Sequence, residues 1–340
     1  MRNLFFLAVI AILLAATTFV FAEESAEPVM VPVFDHQVLH FNPDSTDLYV
    51  DAPVVALDNG REAMRPVTLS EYNKSTRILA HLTLDPIPKD MLTVHDRWDR
   101  AGNVRLTNLD GPDVEIARFM TSYGGHTEHT LDVTHLAPLL QGQRDLVAFV
   151  DTWVSPGWQV TFDLEFLPDT SAYAPDWALP VYYTTGMNAQ DDPDGVDIAV
   201  TIPPGLARVA LVYISTGHCT DGRDEDEFYA KPNVISVDGM VVERLHPWRE
   251  DCRDYRDRNP YTAKWTDGTW SSDYSRSGWC PGVEVEPTVI DLTGNLTAGE
   301  HTLHIEVENM RPIDEEDHFG YWRISAHLVG WKEYPLLWIN

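Results

Sequence analysis

Asp99 stands between an indole and a guanidinium in the stretch His95-Asp96-Arg97-Trp98-Asp99-Arg100. A Trp lowers the local dielectric and an Arg holds a neighbouring carboxylate ionised and aimed. Both its pKa and its direction must be set before a carboxylate can do acid–base work. The same six residues also fit a surface Asp–Arg pair with Trp98 as a core plug. A second carboxylate, Asp151 in Val150-Asp151-Thr152-Trp153, ends an apolar strand out of phase with its core face, and it also fits an ordinary strand-end Asp. Glu227 closes the acidic run Asp224-Glu225-Asp226-Glu227, and such a run by itself reads as a solvated face. Arg276-Ser277-Gly278-Trp279-Cys280-Pro281-Gly282 is a loop with a fixed backbone that presents an Arg and a Trp. An indole stacks on a pyranose face and an Arg bonds hydroxyls or an oxyanion, so the loop suits a sugar. It equally suits a purely structural role. His218, in a turn after a buried strand, is either a structural His or part of a site wall.

Strand signals position these residues. Residues 76–84 alternate, with Ile78, Ala80, Leu82 and Leu84 on one face, and 159–166 do the same with Val160, Phe162, Leu164 and Phe166. Further strands are expected over 47–57, 103–108, 114–119, 145–153, 196–202, 208–215, 285–292, 300–309 and 320–331. A hairpin is expected over 233–244, turning at Asp238-Gly239. The best helix signal is the short run 136–142, which Gly142 would end. Residues 167–180, rich in Pro, Asp and small side chains, read as an interdomain linker, and 245–283 as a long functional loop. Many short strands and few helices predict an all-β chain of two sandwiches with jelly-roll topology, over 28–170 and 175–340.

The chain has 340 residues and a formal net charge of -29. Nucleic acid and anionic membrane surfaces call for a basic face, so both are excluded as partners. A neutral, hydroxyl-rich substrate is compatible with this charge. Residues 1–22 read as a secretory signal peptide, with Arg2, an apolar run and a small residue at Ala22. This predicts a secreted or periplasmic protein with no stable membrane association after cleavage, and a monomer is expected. Of the three cysteines, Cys252 and Cys280 bracket the long loop and are the expected disulfide, worth roughly 3 kcal/mol. Cys219 is either a buried thiol or an alternative partner for Cys252. His126 and His129 lie three apart without a helical pattern or a third ligand, so no metal site is expected. No nucleophile elbow, phosphate loop or dinucleotide fingerprint occurs, and no cofactor is expected. Asn73 and Asn295 match glycan-acceptor spacing.

Trp98-Asp99-Arg100 with Asn103-Val104, Asp151-Thr152-Trp153, Gly217-His218 and Arg276-Ser277-Gly278-Trp279-Cys280-Pro281-Gly282 occur in this order. Together they resemble the peptide-N-glycosidase F type amidases, secreted enzymes that hydrolyse the glycosylated Asn side-chain amide. The resemblance implies two adjacent eight-stranded antiparallel jelly rolls with the site in the cleft between them. It implies that Asp99, Glu227 and Asp151 are catalytic, with Glu225 as the alternative to Glu227. Arg100, Arg276, Trp279, Trp153, His218 and Trp98 would bind substrate, an N-glycosylated protein or peptide. The chain departs from the family at Asp151, where the family has Glu, and at Thr216 and Phe228, where it has Trp. A glycan-binding protein without catalysis and a glycoside hydrolase using the same carboxylates are the alternative readings.

Overall fold

A computed structural model describes residues 27–89, 93–220 and 226–333. The proposed signal peptide and Glu225 lie outside the described residues. Every strand pair is antiparallel. In the first sandwich one sheet orders Val29–Leu39, Trp158–Pro168, Thr76–Pro86 and Thr127–Asp132. The facing sheet orders Glu284–Val285, Val114–Met120, Ala101–Thr107, Gly142–Val150, Glu62–Leu69 and Val55–Leu57. The alternating residues expected to face inward do so: Ile78, Ala80, Leu82, Val160, Phe162 and Leu164 share one core with Val104, Leu146 and Ala148 of the facing sheet.

The second sandwich pairs Trp177–Asn188, Gly320–Trp331, Arg208–Cys219 and Thr288–Asp291 in one sheet. Val196–Ile202, Gly299–Val307, Asn233–Val237 and Met240–Leu245 form the other. Arg208–Cys219 is buried along nearly its whole length because one face packs into its own core and the other meets the first sandwich. The hairpin turns at Asp238 and Gly239, both at positive φ, as a two-residue primed turn requires.

Four expectations are corrected. Of 47–57 only Val55–Leu57 is strand, because Asp47, Asp51 and Pro53 favour turns over a ladder. Residues 285–292 split into Glu284–Val285 and Thr288–Asp291 at Pro287, and the two pieces join different sandwiches. The short helix is a 3-10 turn at Thr134–Leu136, opened by Asp132 accepting the Thr134 N–H, and Gly142 starts a strand instead of ending a helix. The connection between the sandwiches is 169–176, shorter than expected, because strands run to Pro168 and from Trp177.

Residues 245–283 form the long loop, with 3-10 turns at Cys252–Arg258 and Ser271–Asp273. The expected Cys252–Cys280 disulfide staples it. Asn259 fastens the loop to the first sandwich: its amide donates to the Tyr255 and Pro281 carbonyls, and its oxygen accepts the Tyr123 N–H.

Candidate active site

The site forms where this loop, the strand Arg208–Cys219 and the rim of the first sandwich converge. Asp99 and Glu227 come from different sandwiches and share one guanidinium. Arg276 donates from Nη2 to Asp99 Oδ2 at 3.1 Å and from Nε to Glu227 Oε1 at 3.3 Å. Its remaining contacts fix it in place: Nη2 also donates to the Ser271 carbonyl and the Tyr123 hydroxyl oxygen, and Nη1 to the Tyr274 carbonyl. The guanidinium lies 4.7 Å from the Trp279 ring and 5.0 Å from the Phe228 ring. Gly278 makes the loop possible. It sits at φ +84°, and a Cβ there would lie 2.6 Å from the Ser215 carbonyl oxygen.

Burial raises the Asp99 carboxyl above its ordinary range, against the pull of Arg276 and of the Tyr123 hydroxyl, which donates to Oδ2 at 2.9 Å. Burial also pushes Glu227 up to about 7, with the Asp99 charge adding to the rise and Arg276 opposing it. The Cys219 thiol donates to Glu227 Oε2 at 3.4 Å. Burial disfavours the Arg276 charge, yet Tyr123, Asp99 and Glu227 outweigh that and hold its pKa above the ordinary value.

The expected hydrogen-bond partner of Asp99 is corrected, while the Arg100 charge still favours ionised Asp99. Arg100 donates from Nε to both oxygens of Asp96, at 3.1 and 2.9 Å, and not to Asp99. Asp96 is almost fully buried and also accepts the Thr152 hydroxyl at 2.6 Å. One structural carboxylate thus ties the Trp98-Asp99-Arg100 loop to the segment that carries Asp151. Among the described residues the two Nη groups of Arg100 have no hydrogen-bond partner, and the side chain lines the cavity. Trp98 is not a core plug. It is 52 % exposed, touches the Tyr123 ring edge-on, and is not part of the cavity wall.

Seven of the nine residues expected at the site line one cavity of about 430 Å3: Asp99, Arg100, Asp151, Trp153, His218, Glu227 and Trp279. Arg276 reaches it through its two carboxylates. Asp151 lies just past the strand end, held by Arg61 at 3.2 Å and Arg323 at 2.8 Å. Trp153 is 55 % exposed beside it, with the Arg61 guanidinium 4.8 Å from its ring. Trp279 is buried and donates its indole N–H to the Gly217 carbonyl. His218 stacks between Trp279 and Tyr321 and contacts the Thr216 hydroxyl through Nε2. Burial lowers its pKa well below the ordinary value, with Arg323 and Arg118 adding to the effect. It forms wall and is neutral at ordinary pH.

Sequence reasoning missed Tyr123, Cys219, Asp96 and Asp226. Buried Asp226 seats Glu227 by accepting the Trp322 indole N–H and the Arg311 backbone N–H. An isolated acid inside an acidic run gives no sign of that role. Among the described residues no group of three or more potential metal ligands occurs, and no helix is long and apolar enough to cross a membrane.

Two antiparallel sandwiches with an Asp–Arg–Glu cluster in a cavity at their junction define an all-β protein with a candidate carboxylate site. Comparison with known proteins narrows the class. The family model described as "Peptide-N-glycosidase F, C terminal" matches residues 187–329. The peptide-N(4)-(N-acetyl-beta-D-glucosaminyl)asparagine amidase F of Elizabethkingia miricola is 27 % identical over 222 residues, covering 60 % of this chain and 60 % of the relative. The solved structure of PNGF-II aligns with a TM-score of 0.79 at 26 % identity, covering 90 % of this chain and 65 % of that one. PNGase F, described as a glycosylasparaginase from Flavobacterium meningosepticum, shares the fold with a TM-score of 0.67 at 19 % identity, over 90 % of this chain and 96 % of that one. The chain is thus similar to peptide-N-glycosidase F type proteins in its C-terminal sequence and in its fold, and it spans about 60 % of the length of the curated relative.

Proposed function

We propose that this protein is an amidase that hydrolyses the side-chain amide of N-glycosylated Asn in proteins or peptides, leaving Asp and a released glycosylamine. The observation that carries this reading is the pair of carboxylates from two sandwiches, bound to one guanidinium and facing one cavity. Ionised Asp99 takes a proton from water, and the water oxygen bonds to the amide carbon. Negative charge develops on the carbonyl oxygen, where the Nη groups of Arg100, which have no hydrogen-bond partner among the described residues, donate. Glu227, poised near neutrality, gives its proton to the nitrogen as the C–N bond breaks. Arg276 has committed its donors to protein oxygens, so it is a positioning residue that fixes both carboxylates. Asp151 and Trp153 hold the first sugar, and His218, Trp279 and the outlying Trp98 shape its surroundings. The signal-like N-terminus and the disulfide support secretion, and the protein acts as a monomer built of two jelly rolls.

The test incubates the mature chain with a denatured glycopeptide and weighs both products. Asn-to-Asp conversion with glycan release supports the amidase. A GlcNAc stub left on the peptide identifies a glycosidase, and glycan binding without turnover identifies a binding protein.

A further inference from the structure

The catalytic cavity has two differently built neighbours. At its Asp151–Trp153 end it shares those two residues with a cavity of about 290 Å3 that is rich in charge, including Asp58, Arg61, Glu62 and Arg323. At the Arg276 end lies a cavity of about 450 Å3 with a different chemistry, lined by Phe228, Tyr229, Trp248, Trp265, Tyr274 and Asp267. Arg276 belongs to its wall while bonding both catalytic carboxylates, and Tyr229 is two residues from Glu227.

The rings of this second neighbour form a shelf. Tyr274 meets Trp265 edge-on at 6.0 Å and Phe228 at 6.1 Å. Trp265 and Tyr229 nevertheless remain 55 % and 54 % exposed. Large aromatic rings clustered and left open to water beside a reaction site mark a binding surface. Asp267 is already engaged by the Tyr274 hydroxyl at 2.7 Å and the Thr269 N–H at 2.8 Å, and the Arg276 charge is spent on two carboxylates. The shelf offers ring faces alongside the hydroxyls of Tyr229 and Ser275, and an apolar or aromatic side chain fits against those faces.

A glycosylated Asn has a carbohydrate end and a polypeptide end. Resting on the amidase reading, in which Asp151 holds the sugar, we propose that the aromatic shelf binds the polypeptide end. It takes an apolar or aromatic side chain next to the modified Asn. The enzyme then reads its substrate in one direction, with sugar toward Asp151 and polypeptide toward Trp265, and its rate depends on the sequence flanking the Asn.

Two glycopeptides with the same glycan, one carrying Phe and one Ser beside the modified Asn, test this. The expected kcat/KM ratio is about tenfold in favour of Phe, since burying such a ring is worth at least that factor. Trp265→Ala should bring the ratio near one and Trp265→Phe should preserve it. A ratio unchanged in Trp265→Ala overturns the proposal. So does a variant that loses affinity for the free oligosaccharide while keeping affinity for the peptide. Calorimetric titration with the same two peptides lacking glycan separates this inference from the activity. Even without any glycan release, tighter binding of the Phe peptide that vanishes in Trp265→Ala supports it, and equal binding of both peptides refutes it.

Discussion

Two buried arginines join the sandwiches, and they are built to different ends. Arg118, from the first sandwich, pairs with Glu115 at 2.8 Å and donates to the Thr216 hydroxyl and the Arg323 carbonyl of the second. Asn103 donates to the same Glu115 at 2.9 Å. One positive charge meets one carboxylate, and neither side chain lines the cavity between the sandwiches that holds Asp99 and Glu227. Arg276 meets two carboxylates, and both face that cavity. The balanced cluster holds structure. The unbalanced one carries a surplus negative charge that a proton relieves, and Glu227, pushed up to about 7, is where the proton goes. A buried ion pair therefore points to chemistry when its charges do not cancel and a cavity is present.

Breaking the unbalanced cluster should have the largest effect on activity. Asp99→Asn is expected to lower kcat for glycan release by about a thousandfold while the melting temperature stays within a few degrees. A variant with near-normal turnover would remove Asp99 from the chemistry. Arg118→Ala attacks the balanced cluster instead. It should cost about 3–5 kcal/mol in denaturant unfolding, because Glu115 is left buried without its partner, while kcat per folded molecule is unchanged.

Glu227→Gln should lower kcat about a hundredfold and abolish the alkaline limb of the pH profile. In the proposed mechanism the active form carries the proton, so activity is expected to fall as pH rises through about 7. Stability follows the same sign. The folded pKa lies above the ordinary value of 4.5, so this contribution is complete below 4.5 and is lost as pH rises through about 7. Melting curves of the Gln variant should lack that slope. The smallest effect belongs to Cys219→Ala. Its thiol donates to Glu227 and lowers the pKa of that group, so removing it should move the alkaline limb upward by less than about one pH unit.

The sandwich strands were legible wherever one face is wet, because alternation then marks the inward residues, as in Thr76–Pro86 and Trp158–Pro168. The 47–57 stretch misleads because its apolar residues are separated by turn formers. The site was legible as residue types and not as pairings. Arg100 follows Asp99 in sequence, yet in a loop adjacent side chains need not meet, and the Asp96 carboxylate four residues away takes its guanidinium. The partner of Asp99 is Arg276, 177 residues distant, and only the fold brings the two together. Tyr123 and Asp226 act through single hydrogen bonds made across the structure, which leave no local pattern.

The two-residue strand Glu284–Val285 belongs by sequence to the second half of the chain but completes the sheet edge at Val114–Met120 in the first. It follows Cys280 closely, so the stapled loop delivers it there. A fragment ending near residue 170 would expose that edge as an unpaired row of N–H and C=O groups, open to addition by another chain. The halves of this protein are thus poor candidates for separate production: the first should aggregate alone, and adding the second half in trans should restore solubility only if residues 284–285 are included.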